Sequence, residues 1–186
     1  MKLTCEELRQ SGNTPRIHPN GFIQLDLGKN LRLHVWPTER LIAPAVDLPL
    51  HDHTFGFNSF VMKGSLGNII YDIEQRDTGA YHLYHVMPYA ATGTSSPLHK
   101  EDGTYTIRKT DEFWVDAGHT YHMDPFIFHE TAIKEPSVTV IRIIPFDTSR
   151  PARVLCPATE TPGGAFKRDA IAPEILWSHI KEALET

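Results

Sequence analysis

Short segments rich in β-branched and aromatic residues recur along most of the chain, separated by Gly, Pro, Asn and Asp. This pattern is typical of β-strands joined by turns. Nine strands are predicted, over residues 22–27, 31–36, 57–63, 68–74, 81–87, 105–108, 112–115, 127–133 and 138–144. Many short strands with turn signals between them predict an all-β barrel or a double-sheet jelly roll.

A short helix is predicted near each end of the chain. Thr4 with Glu7 three residues later fits a capping box, which predicts a helix over residues 5–10. A second helix should begin near Pro173. Its apolar residues recur at helical spacing, and we expect them to pack on the outside of the barrel or on a second subunit: Ile175, Leu176, Ile180, Ala183 and Leu184.

Two stretches lack a regular pattern. Residues 88–103 contain two prolines and two glycines and are predicted to form a long loop, either a cover for the substrate or a surface excursion. Residues 149–164 are predicted to form an extended arm that either folds back on the barrel or helps a homodimer to form. The predicted organisation is a lead-in over 1–20, a barrel over 21–148, and an arm with a helix over 149–186.

Composition restricts the class of protein. A chain of 186 residues with 40% hydrophobic and 22% charged residues fits one soluble domain. The net charge of −5, without basic clusters, argues against a nucleic-acid partner. No apolar run approaches the roughly 20 residues of a membrane span, and the first residues do not resemble a signal peptide. We therefore expect a cytoplasmic protein, in which Cys5 and Cys156 stay free thiols.

Two histidines separated by one residue are the first sign of specific chemistry. Side chains alternate between faces in an extended segment, so His51 and His53 should point to one location. His129 follows a segment that starts at a predicted turn over residues 116–118. Three imidazoles with open coordination positions are typical of a catalytic metal site rather than a closed structural one. His51, His53 and His129 are therefore the predicted metal ligands.

The spacing of these histidines resembles the two motifs of the cupin superfamily. The first motif, Gly-x5-His-x-His-x3-Glu-x6-Gly, corresponds to His51-x-His53-x3-Phe57-x6-Gly64. The second, Gly-x5-Pro-x-Gly-x2-His, corresponds to Gly118-x5-Asp124-x-Phe126-x2-His129. Phe57 replaces the glutamate, the first glycine is absent, and Asp124 and Phe126 replace the proline and glycine. The resemblance implies a cupin double-stranded β-helix whose metal site has lost its carboxylate ligand.

A carboxylate-free site also occurs in the thiol dioxygenases, and residues 20–148 resemble cysteine dioxygenase. The shared residues are His51-Asp52-His53-Thr54, and Glu135-Pro136 leading to Pro145-Phe146-Asp147-Thr148. The Ser-x-His-x-Tyr series of that family would fall on Thr139, Ile141 and Ile143, so two of its three functional groups are missing. The resemblance therefore implies a distant relative that uses the same metal ligands on another substrate.

Several side chains are expected around the ligands. Ser59 lies two residues after Phe57, and Thr131 two after His129, so each pair shares a strand face. His122 is either a donor to a ligand or a structural histidine, and no catalytic residue is assigned. The candidates are Phe57, Ser59, Tyr121, His122, Thr131 and Thr139. The aromatic rings expected to shield the site are Phe55, Phe57, Phe60, Phe126 and Phe128, and the histidines expected to line the barrel or its surface are His34, His82 and His85.

The ligand set predicts the chemistry. Three neutral histidines leave the charge of a divalent metal uncompensated, which favours an anionic ligand. Six-coordinate Fe(II) would keep three positions free for a two-point substrate and O2, so Fe(II) is the favoured cofactor, with Zn, Ni and Mn as alternatives. We predict an Fe(II) oxygenase acting on a small anionic metabolite. The alternatives are a non-catalytic metal-binding cupin and a cupin isomerase or epimerase.

Overall fold

The computed structural model of the chain describes residues 3–37, 39, 41, 49–88, 95–162, 165–167 and 171–185. The two helices of this part are α1 (Cys5–Gln10) and α2 (Pro173–Glu185). The strands of this part are β1 (Arg16–Ile17), β2 (Ile23–Gly28), β3 (Leu31–Trp36), β4 (Gly56–Lys63), β5 (Ser65–Arg76), β6 (Tyr81–Val86), β7 (Ser95–Lys100), β8 (Thr104–Asp116), β9 (Thr120–Met123), β10 (Phe128–Ile133), β11 (Ser137–Ile144), β12 (Ala152–Pro157) and β13 (Ala165–Lys167).

The strands form two antiparallel sheets. The first has the order β1-β2-β3-β11-β4-β9, and the second has the order β10-β5-β8-β6-β7-β13, with β12 also paired to β6. The predicted all-β fold with one helix near each end is confirmed. Among the described residues, no helix combines the length and the apolar composition that crossing a bilayer requires.

Where β2 and β3 pair, one face of the first sheet packs against the two helices and the other lines a cavity. Alternate residues of these strands, such as Ile23 and Leu33, join a core with α1 and α2. The residues between them point the other way, and Gln24 and His34 line an internal cavity. The alternation of a β-strand thus gives one face to the helices and the other to the cavity.

Both helices form for the reasons that the sequence indicates. The hydroxyl of Thr4 accepts from the backbone N–H of Glu7, and the Glu7 carboxylate accepts from the backbone N–H of Thr4, which confirms the capping box. Helix α2 packs Leu176 and Ile180 into the core, as predicted. Ile175, which was expected in the same stripe, is 52% exposed, and Trp177 takes the buried position beside Leu176.

Most predicted strands are present, but one pair is a single element. The strands predicted over 105–108 and 112–115 are one continuous strand, β8. The polar residues between them indicated a turn, yet they lie on an exposed part of the β5–β8 ribbon. A strand whose two faces are both exposed can carry polar residues on both, so its sequence does not alternate between apolar and polar residues.

Both irregular stretches contain strands, so the prediction of a loop was wrong in part, whereas the predicted arm takes one of its two expected courses. Within 88–103, β7 pairs with β6 on one side and with β13 on the other. Residues 89–94 of the predicted loop lie outside the described residues, as do Gly163 and Gly164 of the predicted arm. Within 149–164, all six residues of β12 pair with β6, so this segment folds back on its own chain.

Candidate metal centre

The segment that carries the first two histidines is held between two strands. The backbone N–H of His51 donates to the carbonyl oxygen of His129 over 3.1 Å, and the N–H of His129 donates back over 2.9 Å. On its other side His51 forms a bridge with Val154 of β12. The ligand segment therefore sits between β10 and β12, and this pairing brings residues 51 and 129 together despite their separation in sequence.

The structure brings the three predicted ligands together. One ring nitrogen from each of His51, His53 and His129 can be chosen so that all three atoms lie within 4.8 Å of one another. The ring centroids are separated by 4.8 Å for His51 and His53, 4.5 Å for His51 and His129, and 5.2 Å for His53 and His129. Among the described residues, this group contains no carboxylate. Its size suits the coordination sphere of one metal ion.

Hydrogen bonds define the tautomers of two of these histidines. His51 Nδ1 lies 2.8 Å from the carbonyl oxygen of Pro49, and His129 Nδ1 lies 2.9 Å from the carbonyl oxygen of Ile127. Because a carbonyl oxygen only accepts, each Nδ1 carries the hydrogen and donates it. The lone pair is then on Nε2, which is the arrangement expected for a metal-binding histidine.

Burial keeps the three rings neutral at physiological pH. Desolvation lowers the pKa of His129 to about 3, and the neighbouring His51 adds to this effect. Desolvation also lowers the pKa of His51, although a hydrogen bond to Pro49 and the charge of Asp52 oppose it. The pKa of His53 falls well below its usual value through desolvation and the proximity of other histidines. Neutral imidazoles are the form that binds a metal.

The histidines face a cavity of about 320 Å³ between the sheets. Phe57, Thr131 and Thr139 line it, as expected from the sequence. The ring of Phe57 lies 5.7 Å from that of His53, in the position where the cupin motif has glutamate. Thr139 is buried and accepts a hydrogen bond from Trp36 Nε1 over 3.5 Å. An apolar ring therefore stands where the motif has a carboxylate.

Two more expected residues, Ser59 and Tyr121, lie opposite each other on the paired strands β4 and β9. Tyr121 lines the cavity, and Ser59 is buried opposite it in the β4–β9 pair. Burial raises the pKa of the Tyr121 phenol, and interactions with Ser59 and Asn68 oppose this rise. The Tyr121 side chain is therefore a neutral phenol across the physiological range.

Two of the expected residues point away from the site. His122 is 48% exposed, with Nδ1 2.8 Å from Asn58 Oδ1 and Nε2 3.0 Å from Asp124 Oδ1. It is a surface histidine, because it pairs with Asn58 on the outer face of β4. Phe60 is also on the outside, 42% exposed, so it does not shield the ligands.

The other expected rings differ in position. Phe55 stacks on His53 with a centroid separation of 4.9 Å, whereas Phe128 lies in a neighbouring core cluster. His34 lines the cavity, while His82 and His85 are on β6 and interact with Gly103 and Glu101.

Sequence analysis missed the charged group at the cavity wall. Arg16 forms an ion pair with Asp26, and Arg32 Nε donates to the same carboxylate over 3.1 Å. Asn20 was also missed, and its amide nitrogen lies 3.5 Å from His51 Nε2. The alternation of apolar and polar residues in β2 and β3 was the available signal, but only the pairing of distant strands shows which face meets the cavity.

Comparisons with known proteins give likenesses in structure alone. No family model matches the sequence, and no curated protein matches it. The hydroquinone 1,2-dioxygenase solved with Cd2+ and 4-hydroxybenzonitrile is 12% identical, with a TM-score of 0.33 over 65% of this chain and 61% of that one. The hydroquinone 1,2-dioxygenase from Sphingomonas sp. TTNP3, with 4-hydroxybenzoate bound, is 10% identical, with a TM-score of 0.34 over 71% of this chain and 66% of that one.

A variant of oxalate decarboxylase from Bacillus subtilis is 14% identical, with a TM-score of 0.36 over 100% of this chain and 39% of that one. This chain therefore spans less than two thirds of the length of each of these three proteins. At these identities and TM-scores, the three likenesses establish neither a family nor a function for this chain. What the structure itself shows is two antiparallel sheets with three histidines, placed so that they could hold a metal ion, at the cavity between them.

Proposed function

We propose that this protein is a metal-dependent cupin of the three-histidine type, and that it is an Fe(II) oxygenase acting on a small anionic metabolite. The observation that carries the proposal is the group of His51, His53 and His129, whose ligand atoms lie within 4.8 Å of one another beside a cavity of about 320 Å³. The cavity is of the size expected for a small-molecule site.

The donor atoms fit a divalent transition metal. All three donors are neutral imidazole nitrogens, and two are held with Nε2 unprotonated by backbone carbonyls. Imidazole suits Fe, Zn, Cu and Ni, and a site without a carboxylate leaves the metal's charge uncompensated. When bound there, Fe(II) would supply redox chemistry with O2, which the side chains of the protein cannot provide.

The charges at the cavity wall support an anionic substrate. Arg16 and Arg32 share the single carboxylate of Asp26, so this group has a net charge of +1. Asp52, the other acidic residue at the cavity, has a fully buried side chain that pairs with Arg153. A compact anion would therefore be attracted both by the arginine group and by a site occupied by a divalent cation.

Aromatic rings would keep bulk water from the reacting groups. Phe55 stacks on His53, and Phe57 packs edge-on against the same ring at 5.7 Å. The guanidinium of Arg32 lies 5.8 Å from the ring centroid of Phe55, and both residues line the cavity. Exclusion of water strengthens the electrostatic interactions of a bound anion and protects reactive species from side reactions.

The first test is metal content by mass spectrometry on protein purified without a chelator. The His129→Ala variant should lose stoichiometric metal, whereas His122→Ala should retain it because His122 lies on the surface. Iron in the wild-type protein would justify an oxygen-consumption screen of thiols, diketones and small carboxylates. A wild-type protein that binds no metal, even after anaerobic reconstitution with Fe(II), would overturn the proposal.

Reconstituted protein that holds iron but consumes no oxygen with any of these compounds would contradict the oxygenase assignment and favour a binding role. Activity that survives complete removal of metal would instead indicate an isomerase that uses a side chain as its base.

A further inference from the structure

Strand β12 borders the segment that carries two of the three histidines. The backbone N–H of Asp52 donates to the carbonyl oxygen of Arg153 over 3.0 Å, and the N–H of Leu155 donates to the carbonyl oxygen of Leu50 over 3.0 Å. Residues 50–52 are thus paired with a strand from the C-terminal part of the chain. The backbone position of this segment depends on β12 as much as on β10.

A buried ion pair reinforces this contact. The side chain of Asp52 is fully buried, and that of Arg153 is 14% exposed. Asp52 Oδ1 accepts from the backbone N–H of Arg153 over 2.6 Å, and Oδ2 accepts from Arg153 Nε over 2.7 Å and lies 2.6 Å from Nη2. Two guanidinium nitrogens hold Oδ2 and the backbone N–H of the same residue holds Oδ1, so Arg153 determines the orientation of the carboxylate as well as its position.

The same guanidinium also contacts the segment that carries the third histidine. Its central carbon lies 4.6 Å from the ring centroid of Phe128, which immediately precedes His129 and is 3% exposed. Arg153 therefore touches the residue between His51 and His53 and the residue before His129. Within the described residues, Arg150 is the other cation near Asp52, through a single contact of 4.0 Å.

We propose that Arg153 is a positioning residue of the metal centre: its contacts with Asp52 and Phe128 keep the two histidine-bearing segments at the separation that metal binding requires. This inference rests on the proposed metal site. Arg153 does not contact the three imidazoles itself, and it acts through the backbone segments that hold them. Outer residues of this kind commonly change metal affinity by about 10–100-fold when they are replaced.

The test is a titration of the metal-free protein with Co2+, monitored through the visible absorption of the bound ion. Arg153→Gln should bind Co2+ about 10–100-fold more weakly than wild type and with an altered absorption spectrum. Arg153→Lys keeps the charge but loses the planar fork, so its affinity should fall between the two. The matched control is Arg108→Gln, which removes an exposed ion pair with Asp72 in the same sheet and should leave affinity and spectrum unchanged.

Circular dichroism on each variant separates positioning from overall folding. A folded Arg153→Gln protein with weakened Co2+ binding and an altered spectrum supports the proposal. Wild-type affinity and spectrum in this variant would overturn it, and so would unfolding of both Arg153 variants, which would indicate a role in global stability alone. The proposed function fails separately, if wild-type protein binds no Co2+ or if His129→Ala binds it as tightly as wild type.

Discussion

Phe126 occupies a backbone conformation that normally favours glycine. Its φ angle is +63°, in the left-handed region, and the second cupin motif has glycine at this position. The backbone N–H of Phe126 donates to the carbonyl oxygen of His53 over 2.8 Å, so the strained residue belongs to the turn that contacts the ligand segment. Its ring lies 5.9 Å from that of Phe146 and 4.4 Å from the guanidinium carbon of Arg150. These ring contacts offset part of the backbone strain.

Two substitutions at this position separate strain from packing. Phe126→Ala and Phe126→Gly both remove the ring contacts, but only glycine also relieves the left-handed strain. We expect the glycine variant to have a free energy of unfolding roughly 0.5–1 kcal/mol higher than the alanine variant, because the relief of left-handed strain exceeds the entropic cost of glycine. Urea denaturation monitored by circular dichroism measures the difference. An alanine variant as stable as the glycine variant would contradict the strain at Phe126.

At the level of elements, helix α2 supports the cavity from outside. Its buried residues pack against the outer face of the β2–β3 pair, whose inner face lines the cavity. The helix thus determines where this wall lies relative to the histidines, although it contributes no residue to the cavity lining. A helix remote from the ligands can in this way affect the site through the packing of one sheet.

Two isoleucines on this helix give a matched pair of substitutions. Ile180 has 0% exposure and Ile175 has 52%. Ile180→Ala should lower the free energy of unfolding by about 2–4 kcal/mol, because it leaves a cavity in the core. Ile175→Ala should change it by less than about 0.5 kcal/mol. Thermal and chemical denaturation of the metal-free protein test this, and equal losses in both variants would contradict the assigned faces of α2.

The sequence predicts the elements whose signals are local. The capping box of α1 depends on Thr4 and Glu7 alone, and the bounds of β3 follow from its composition. Strands β7 and β12 were missed because their prolines and small residues resemble those of loops. Both segments are strands because β6 pairs with them. This pairing is long-range, so it gives neither segment a regular alternation of apolar and polar residues from which a strand could be predicted.

At the candidate site, too, residues with a local sequence signal were predictable, and residues that depend on contacts with distant strands were not. The histidine group was predictable because the spacing between residues 51 and 53 is local, and because the motif likeness supplied residue 129. Arg153 and the group around Asp26 were not predicted, because their neighbours come from other strands. Neither the spacing of hydrophobic residues nor the composition of a strand indicates which distant carboxylate an arginine will pair with.

For the molecule as a whole, four of the histidines that line the cavity are buried rings whose pKa values lie below the usual value. His51, His53 and His129 are joined there by His34, whose pKa burial lowers to about 3, with the positive charge of Arg32 adding to the effect. In the unfolded chain these rings titrate near 6.5. Below that pH the unfolded chain binds protons that the folded chain excludes, so the free energy of unfolding must fall as the pH falls from 6.5 towards 3.

We therefore expect the metal-free protein to lose stability steeply between pH 6.5 and 5, where the carboxylates are still ionised in both states. Each buried histidine contributes up to about 1.4 kcal/mol per pH unit. Urea denaturation in the presence of a chelator at pH 7.5, 6.5 and 5.5 measures the slope. His34→Gln should reduce the slope by about one proton, since it removes one buried titrating ring. An unchanged slope in His34→Gln would mean that His34 takes up its proton in the folded state, which is incompatible with a neutral ring buried at the cavity wall.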